Sequence, residues 1–277
     1  SAYLGGILGA GNQVTTNSSA CSTGTEGLLM AYDRINQGHA KRMLVGSCSD
    51  SGPYVWAGFD AMRILPRKFN DNPPAASRPM SATASGFVPA SGAGALVLES
   101  LESAIERNVK IYAEVLGGAI NSGGQRGGGT ITAPNPVAVQ RCIRSALEHA
   151  GVEAGEIDAI NGHLTATAKD PEEVRNWKKA LKLDSRSFPY LNSFKSTMGH
   201  GLAAAGSMEC VGTVLQFERG EIFGNVNCED LHPEIEKELS RKSIPLKSLG
   251  YEPKIIAKAS FGFGDVNACV IFKAYKD

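Results

Sequence analysis

Apolar residues recur along this chain at two spacings, and the switching between them predicts strands alternating with helices. The β-branched run Gln13–Thr16 predicts a strand. Leu28, Leu29, Tyr32 and Ile35 then fall at helical spacing, with Gly38 just past the end. Short apolar runs at Arg42–Gly46 and Ala93–Leu98 predict further strands, and Ile111–Leu116 another after a charged, helix-like stretch at 100–107. Pro136–Ala150 predicts a helix whose face is marked by Val139, Ile143, Leu147 and Ala150, with Pro136 near its start. Ile157–Asn161 predicts a strand that runs directly to His163. Glu172–Leu183 reads as helical, and 201–218 as an Ala-rich helix ending near Gly220. Ile255–Ala259 and Ala268–Phe272 read as a closing pair of strands. Strongly apolar strands with helices between them predict an α/β fold with mostly parallel, covered sheets. No low-complexity linker is visible, and the best division lies near Asn108-Val109, giving segments 1–109 and 110–277.

Composition narrows the function classes. The 277 residues are 42% hydrophobic, enough to bury a sizeable core. Lys+Arg and Asp+Glu are both 28, so no basic field exists to draw in nucleic acid or an acidic membrane surface. No apolar run approaches the roughly 20 residues of a membrane helix, and no signal peptide is visible, although the chain opens on Ser1. The six cysteines are scattered without a C-x-x-C pair. That argues against a zinc site or disulfide framework and suits a reducing cytoplasm.

One of those cysteines is placed for chemistry. Cys21, in Asn17-Ser18-Ser19-Ala20-Cys21-Ser22-Thr23-Gly24, falls where the first strand should turn into the first helix. Unpaired N–H groups at a helix start favour a thiolate. His163 ends a strand, and His200 precedes the Ala-rich helix in Lys195-Ser196-Thr197-Met198-Gly199-His200. Phe261-Gly262-Phe263-Gly264 lies between the last two strands, where a glycine-flanked loop can offer a backbone N–H to developing negative charge. Taken singly, each group has a plainer reading. A strand-end histidine can be a structural hydrogen-bonder, a lysine a solvated charge, and a buried cysteine simply packed. On residue chemistry alone both readings stay open.

Four ordered motifs carry a resemblance. Ala20-Cys21-Ser22-Thr23-Gly24, His163-Leu164-Thr165-Ala166-Thr167, Lys195–His200 and Ser260–Asn267 resemble the β-ketoacyl-acyl carrier protein synthases of the elongating type, synthases I and II. Asp71–Pro79 and Gly86-Phe87-Val88 are also similar to that family. The resemblance implies a thiolase-like, layered α-β-α-β-α fold. It implies a decarboxylative Claisen condensation in fatty acid or polyketide elongation, with acyl carrier protein as partner, no cofactor, no metal, and a homodimer. Residue by residue, it implies Cys21 as acyl-accepting nucleophile and His163 and His200 as the histidines of malonyl decarboxylation. It implies Lys195 as a shaper of local electrostatics, and the N–H groups of Cys21 and Phe263 as an oxyanion hole. Thr165, Thr167, Phe261 and Gly264 fall where the family lines the substrate approach, and Glu173 is the carboxylate chosen as the histidine motif's support. A non-condensing carrier-binding subunit and a thiolase are the alternatives. A thiolase needs a second cysteine, and Cys269 lies in a predicted strand.

The departures from the pattern matter as much. Leu164 stands where the family has Gly, predicting a bulkier wall there. Asp265 replaces the second Gly of the phenylalanine loop, predicting a stiffer loop and an added charge near malonyl entry. Ala259 replaces an Asn, and Ala84, Ser85 and Ser91 replace charged family residues. Only 20 residues precede Cys21, far fewer than in the family, so the first half of the fold is expected to lack its early strands.

Overall fold

A computed structural model describes residues 2–50 and 52–276. The helices are α1 (Ala2–Ile7), α2 (Thr23–Asn36), α3 (Pro53–Ala61), α4 (Leu101–Glu106), α5 (Pro136–Ala150), α6 (Asp170–Leu181), α7 (Lys195–Met198), α8 (Ala205–Arg219) and α9 (Pro233–Glu238). The strands are β1 (Arg42–Ser49), β2 (Gly92–Glu99), β3 (Glu114–Ser122), β4 (Ala159–Asn161), β5 (Tyr190–Asn192), β6 (Glu221–Ile222), β7 (Leu249–Gly250), β8 (Ile255–Gly262) and β9 (Val266–Lys273).

Local chemistry explains the best-defined helices. Asn135 caps α5, its Oδ1 accepting from the N–H of Val137 at 2.9 Å, and Pro136 takes the first position where no N–H partner is needed. Gly151 ends α5 in the left-handed region at φ 64°. Helix α6 starts earlier than its apolar spacing predicts, at Asp170, with Pro171 in its first turn where no N–H partner is needed. Helix α8 begins only at Ala205, after a tight turn at 202–204.

The central sheet is five-stranded, in the order β3-β9-β8-β4-β5. It is mixed: β3/β9 and β9/β8 pair antiparallel, β8/β4 and β4/β5 parallel. Helices α5 and α6 cover one face, and their apolar stripes meet Ile160, Leu191, Ala257 and Ile271 in the larger core. Helices α2 and α8 cover the other, with Leu28, Leu29 and Cys210 against Val270 and Phe272. Beyond α2 and α8 lies a second sheet, the antiparallel pair β1–β2. The described residues thus stack four layers, α-β-α-β, and the outer face of β1–β2 is open.

One expected strand is not formed. Residues 13–19 adopt no regular structure. Gln13–Thr16 is exposed and has no partner strand among the described residues. β-Branched residues favour extended backbone, but a ladder needs a neighbour. The side chain of Asn12 caps the start of the segment instead, accepting from the Gln13 N–H at 2.7 Å.

Candidate active site

Every group singled out by chemistry lies at one end of the central sheet or where α2 meets it. Cys21 sits in a single 3-10 turn, Ala20–Ser22, that leads into α2. Ala20 before it is held at φ 46°, a conformation that kinks the chain and turns the sulfur inward. The turn is anchored to the central sheet. Ser22 Oγ donates to Ser260 O at 3.1 Å and to Val266 O at 2.9 Å, and Thr25 Oγ1 stands 2.9 Å from Ser260 Oγ. Gly24 packs so closely on α8 that a Cβ there would lie 2.3 Å from the Ser207 nitrogen.

His163 lies just beyond β4. Glu173, on α6, grips that turn: its two carboxylate oxygens accept from the N–H groups of His163 and Leu164, each at 2.7 Å. Asp170 grips the next stretch, accepting from Thr165 N at 3.0 Å, Ala166 N at 3.1 Å and Met80 N at 2.8 Å. Thr165 and Thr167 are thereby fixed with hydroxyls 3.2 Å apart. His200 follows the short helix α7. Its backbone pairs with Val88 and Ala90, and its Nδ1 accepts from Leu202 N at 3.2 Å, which leaves the neutral ring's proton on Nε2.

These elements bring the three reactive groups together. The Cys21 sulfur and one nitrogen from each histidine lie within 4.8 Å of one another, all on buried residues. The two imidazoles stand edge to face, with centroids 5.3 Å apart. Phe87 packs on His200 and Phe261 on His163. The backbone N–H groups of Phe263 and Cys21 point at the sulfur. Behind the trio, Lys195 is ion-paired to Glu209 of α8, and Lys258 of β8 contacts the same carboxylate; all three are buried.

Electrostatics set the resting protonation. Burial pushes the Cys21 thiol up to about 11, against the pull of Lys195 and the Phe263 N–H. The helix start therefore does not make it a resting thiolate, as its sequence position suggests; desolvation outweighs it. Burial, with Lys195 adding to it, holds both histidines well below 6.5, so both are neutral at pH 7. Burial, reinforced by Asp170, pushes Glu173 up to about 7 despite its two N–H donors. The sulfur and the two ring nitrogens could approach a single metal ion, but the ammonium groups of Lys195 and Lys258 disfavour a cation there.

A cavity of about 400 Å³ reaches His163 of this trio from the surface, with Cys21 and His200 behind its lining. His163, Thr165, Thr167, Phe261, Phe263 and Glu173 line it, with Phe87 and Arg63 across from them. Gly264 does not line it: its N–H donates to Ile131 O at 2.8 Å, tying the phenylalanine loop to residues 123–135. Two other expectations are corrected. Leu164 is fully buried in the larger core and forms no bulkier cavity wall, because its backbone is turned by Glu173. Asp265 adds no charge to the cavity. It is fully buried at φ 63°, and its carboxylate accepts from Gln125 N at 3.0 Å and Asn135 N at 2.8 Å. Cys269 is buried in β9, with burial holding its thiol well above 9.0.

Three residues escaped the sequence reading: Asp170, Glu209 and Lys258. Lys258 is the one with a visible signal, a lone charge inside the apolar run Ile255-Ile256-Ala257-Lys258-Ala259.

Comparison with known proteins agrees with this geometry. The family model described as β-ketoacyl synthase, N-terminal domain, matches residues 1–104, and that described as β-ketoacyl synthase, C-terminal domain, matches 112–229. A putative mitochondrial 3-oxoacyl-[acyl-carrier-protein] synthase of Schizosaccharomyces pombe is 36% identical, over 94% of this chain and 61% of its own. The chloroplastic 3-oxoacyl-[acyl-carrier-protein] synthase I of Arabidopsis thaliana is also 36% identical, over 98% and 55%. A type II polyketide ketosynthase, solved with its acyl carrier protein and bound to a hexaketide, superposes with a TM-score of 0.91. It is 30% identical, covering 99% of this chain and 66% of that one. The chain spans about three-fifths of the length of the curated relatives it matches. Two adjoining family models, relatives matched along nearly the whole chain, and a shared thiolase-like fold place the chain in the β-ketoacyl synthase family.

Proposed function

We propose that this chain carries the condensing centre of a 3-oxoacyl-[acyl-carrier-protein] synthase. One observation carries the reading: a buried cysteine sulfur that faces two neutral imidazoles and two backbone N–H groups at once. Acyl transfer comes first. Cys21 Sγ bonds to the acyl carbon, the carrier's pantetheine thiolate leaves, and the Cys21 proton passes to it through a neighbouring imidazole. A thiol near 11 needs such an acceptor, and an imidazole that is neutral at pH 7 has a ring nitrogen free to take the proton in passing.

Malonyl-carrier protein then enters by the cavity. Nε2–H of His200 donates to the malonyl thioester oxygen, and His163, whose Nδ1 is buried without a protein partner, binds beside it. The bond to the carboxylate breaks, CO₂ departs, and the resulting enolate carbon attacks the Cys21 thioester. The N–H groups of Cys21 and Phe263 receive the oxyanion, and its collapse expels Cys21. Lys195 supplies positive charge behind the site, and Glu173 positions His163. Thr165, Thr167 and Phe261 line the pantetheine approach, while Gly264 serves it indirectly, through the loop tie.

The carrier protein is the partner this reading requires, and Arg63 and Lys169 at the cavity mouth suit its phosphate arm. A homodimer and a division of the chain near residue 109 belong to the same reading. The test uses the full-length protein with acyl-carrier protein, followed by mass spectrometry of the Cys21 peptide. An acyl adduct that disappears in Cys21→Ser, with CO₂ released from malonyl-carrier protein, is the expected result. Neither adduct nor CO₂ from the intact protein would favour a carrier-binding subunit without condensing activity.

A further inference from the structure

Three buried charges stand behind the reactive trio, and two of them are positive. Lys195 and Glu209 already form a neutral pair. Lys258 adds a second ammonium to the same carboxylate, with its side chain entirely out of solvent. Its Nζ stands 2.9 Å from Glu209 Oε2, a contact of charge with charge rather than an aligned hydrogen bond. It donates to Ala259 O at 2.7 Å and to Ser260 Oγ. Ser260 in turn holds Thr25 and Ser22, the residues that anchor the Cys21 turn.

A buried ion is a poor device for stability. Desolvating one costs several kcal/mol, and apolar replacements of buried ionic groups are often neutral or better. An apolar side chain would suit the strand between Ala257 and Ala259. The lysine is accounted for if its charge is used. With Lys258 in place, Glu209 is balanced without consuming Lys195, and the cluster keeps one net positive charge.

We infer that Lys258 is a positioning residue that occupies Glu209 and so leaves the charge of Lys195 free to favour anions at Cys21. The inference rests on the condensing reading above. The anions concerned are the cysteine thiolate, the malonyl carboxylate and the oxyanion of the condensation. The titratable and charged groups facing this cluster come from every element packed on it. They are Cys21 before α2, His163 after β4, His200 after α7, Cys210 beside Glu209 on α8, and Cys269 on β9. The cysteines on α8 and β9 are held as neutral thiols by burial, so they add no charge that would cancel Lys258. Glu173 is turned to the backbone of His163 and Leu164.

The test compares Lys258→Met with Lys258→Met/Glu209→Gln in the full-length protein. Iodoacetamide alkylation of Cys21 is followed against pH by mass spectrometry, beside the condensation rate. Lys258→Met makes the cluster neutral. Its alkylation midpoint should rise by about one pH unit, and its condensation rate should fall about tenfold. Adding Glu209→Gln removes the carboxylate and frees Lys195, so the midpoint should return toward the wild-type value. A purely structural lysine gives the opposite order, because the double variant loses one more contact. An unchanged midpoint in Lys258→Met overturns the inference. So does a double variant further from wild type than the single, or a Lys258→Met protein that fails to fold and is not recovered by Glu209→Gln. If the wild-type protein does not condense but the alkylation midpoints move as stated, the condensing reading fails and the charge relation stands.

Discussion

The two sheets of this protein are built on different terms. In the five-stranded sheet, every residue of β8 is buried, and helices press on both faces. In the β1–β2 pair, alternate residues face outward, with Leu44 56% and Val97 64% exposed and directly opposite each other in register. Both regions bear on the site, yet only one holds it. His163, Lys195, His200 and Phe263 come from ends and loops of the five-stranded region. Cys21 precedes the helix that lies between the two sheets, and the hydroxyl of its neighbour Ser22 donates to Ser260 and Val266 of the central sheet rather than to β1 or β2. The nucleophile is thus positioned by the half of the chain that follows it.

The largest effect should come where the two regions touch through that helix. Gly24 meets Ser207 of α8 and Ser47 of β1 with no room for a side chain. Gly24→Ala must push α2 away from both. We expect a loss of about 3 kcal/mol, read by urea unfolding, and slower acylation of Cys21, because the turn carrying the sulfur moves with the helix. An unchanged midpoint with normal acylation would mean that Cys21 is held by its own segment alone.

Next in size is Glu173→Gln, which affects only the five-stranded region. A glutamine can accept from one of the two N–H groups of His163 and Leu164 but turns its NH₂ toward the other. The cost is about 1–3 kcal/mol for the unmet donor. The substitution also removes a pH dependence. Glu173 sits at about 7 when folded, against 4.5 in the unfolded chain. Between those values the folded protein keeps a proton that the unfolded chain gives up. The contribution is therefore complete below pH 4.5 and is lost as pH rises through about 7. Melting temperatures taken across that window should show a slope in the wild type that flattens in the variant.

Much of this division was legible in the sequence. Helices with a cap and a stop, such as Pro136–Ala150, declare themselves, because local N–H and C=O groups are satisfied by residues nearby. The four motifs named Cys21, His163, Lys195, His200 and Phe263, and the structure brings their elements together. What was not legible depends on distant neighbours. Gln13–Thr16 has strand composition, but no strand among the described residues lies beside it, so no ladder forms. Leu164 and Asp265 read as changes to the cavity, yet both side chains turn away from it. Their direction is set by Glu173 in one case and by the backbone of residues 123–135 in the other, and neither relation is local. Lys258 was missed because a single lysine in an apolar run gives no hint of Glu209, 49 positions earlier.

Asp265→Gly tests that lesson with a smaller expected effect. The variant loses two carboxylate hydrogen bonds to Gln125 and Asn135, but glycine relieves the left-handed backbone at φ 63°. These oppose each other, leaving a net loss of about 1 kcal/mol. The clearer signal is local. Amide hydrogen exchange across residues 123–135 should accelerate, while exchange in β8 stays unchanged. Equal acceleration in both would show that Asp265 supports the whole sheet and not only the loop tie.

The smallest effect is expected on the open face of β1–β2, and it bears most directly on the contrast between the sheets. Leu44 and Val97 form a cross-strand pair that faces solvent, while Met43, Val45, Leu96 and Leu98 on the other side pack toward α2 and α8. Burial free energy scales with apolar area removed from water, at about 25 cal/mol per Å². A side chain already more than half exposed has little of that area to lose. Leu44→Ser should therefore change stability by no more than about 0.5 kcal/mol. A fully buried leucine such as Leu191 would cost about 2–5 kcal/mol when cut back to alanine. Chemical denaturation of the two variants side by side gives the ratio. A Leu44→Ser loss approaching that of Leu191→Ala would mean that the outer face is covered in solution, and that the two sheets are built on the same terms after all.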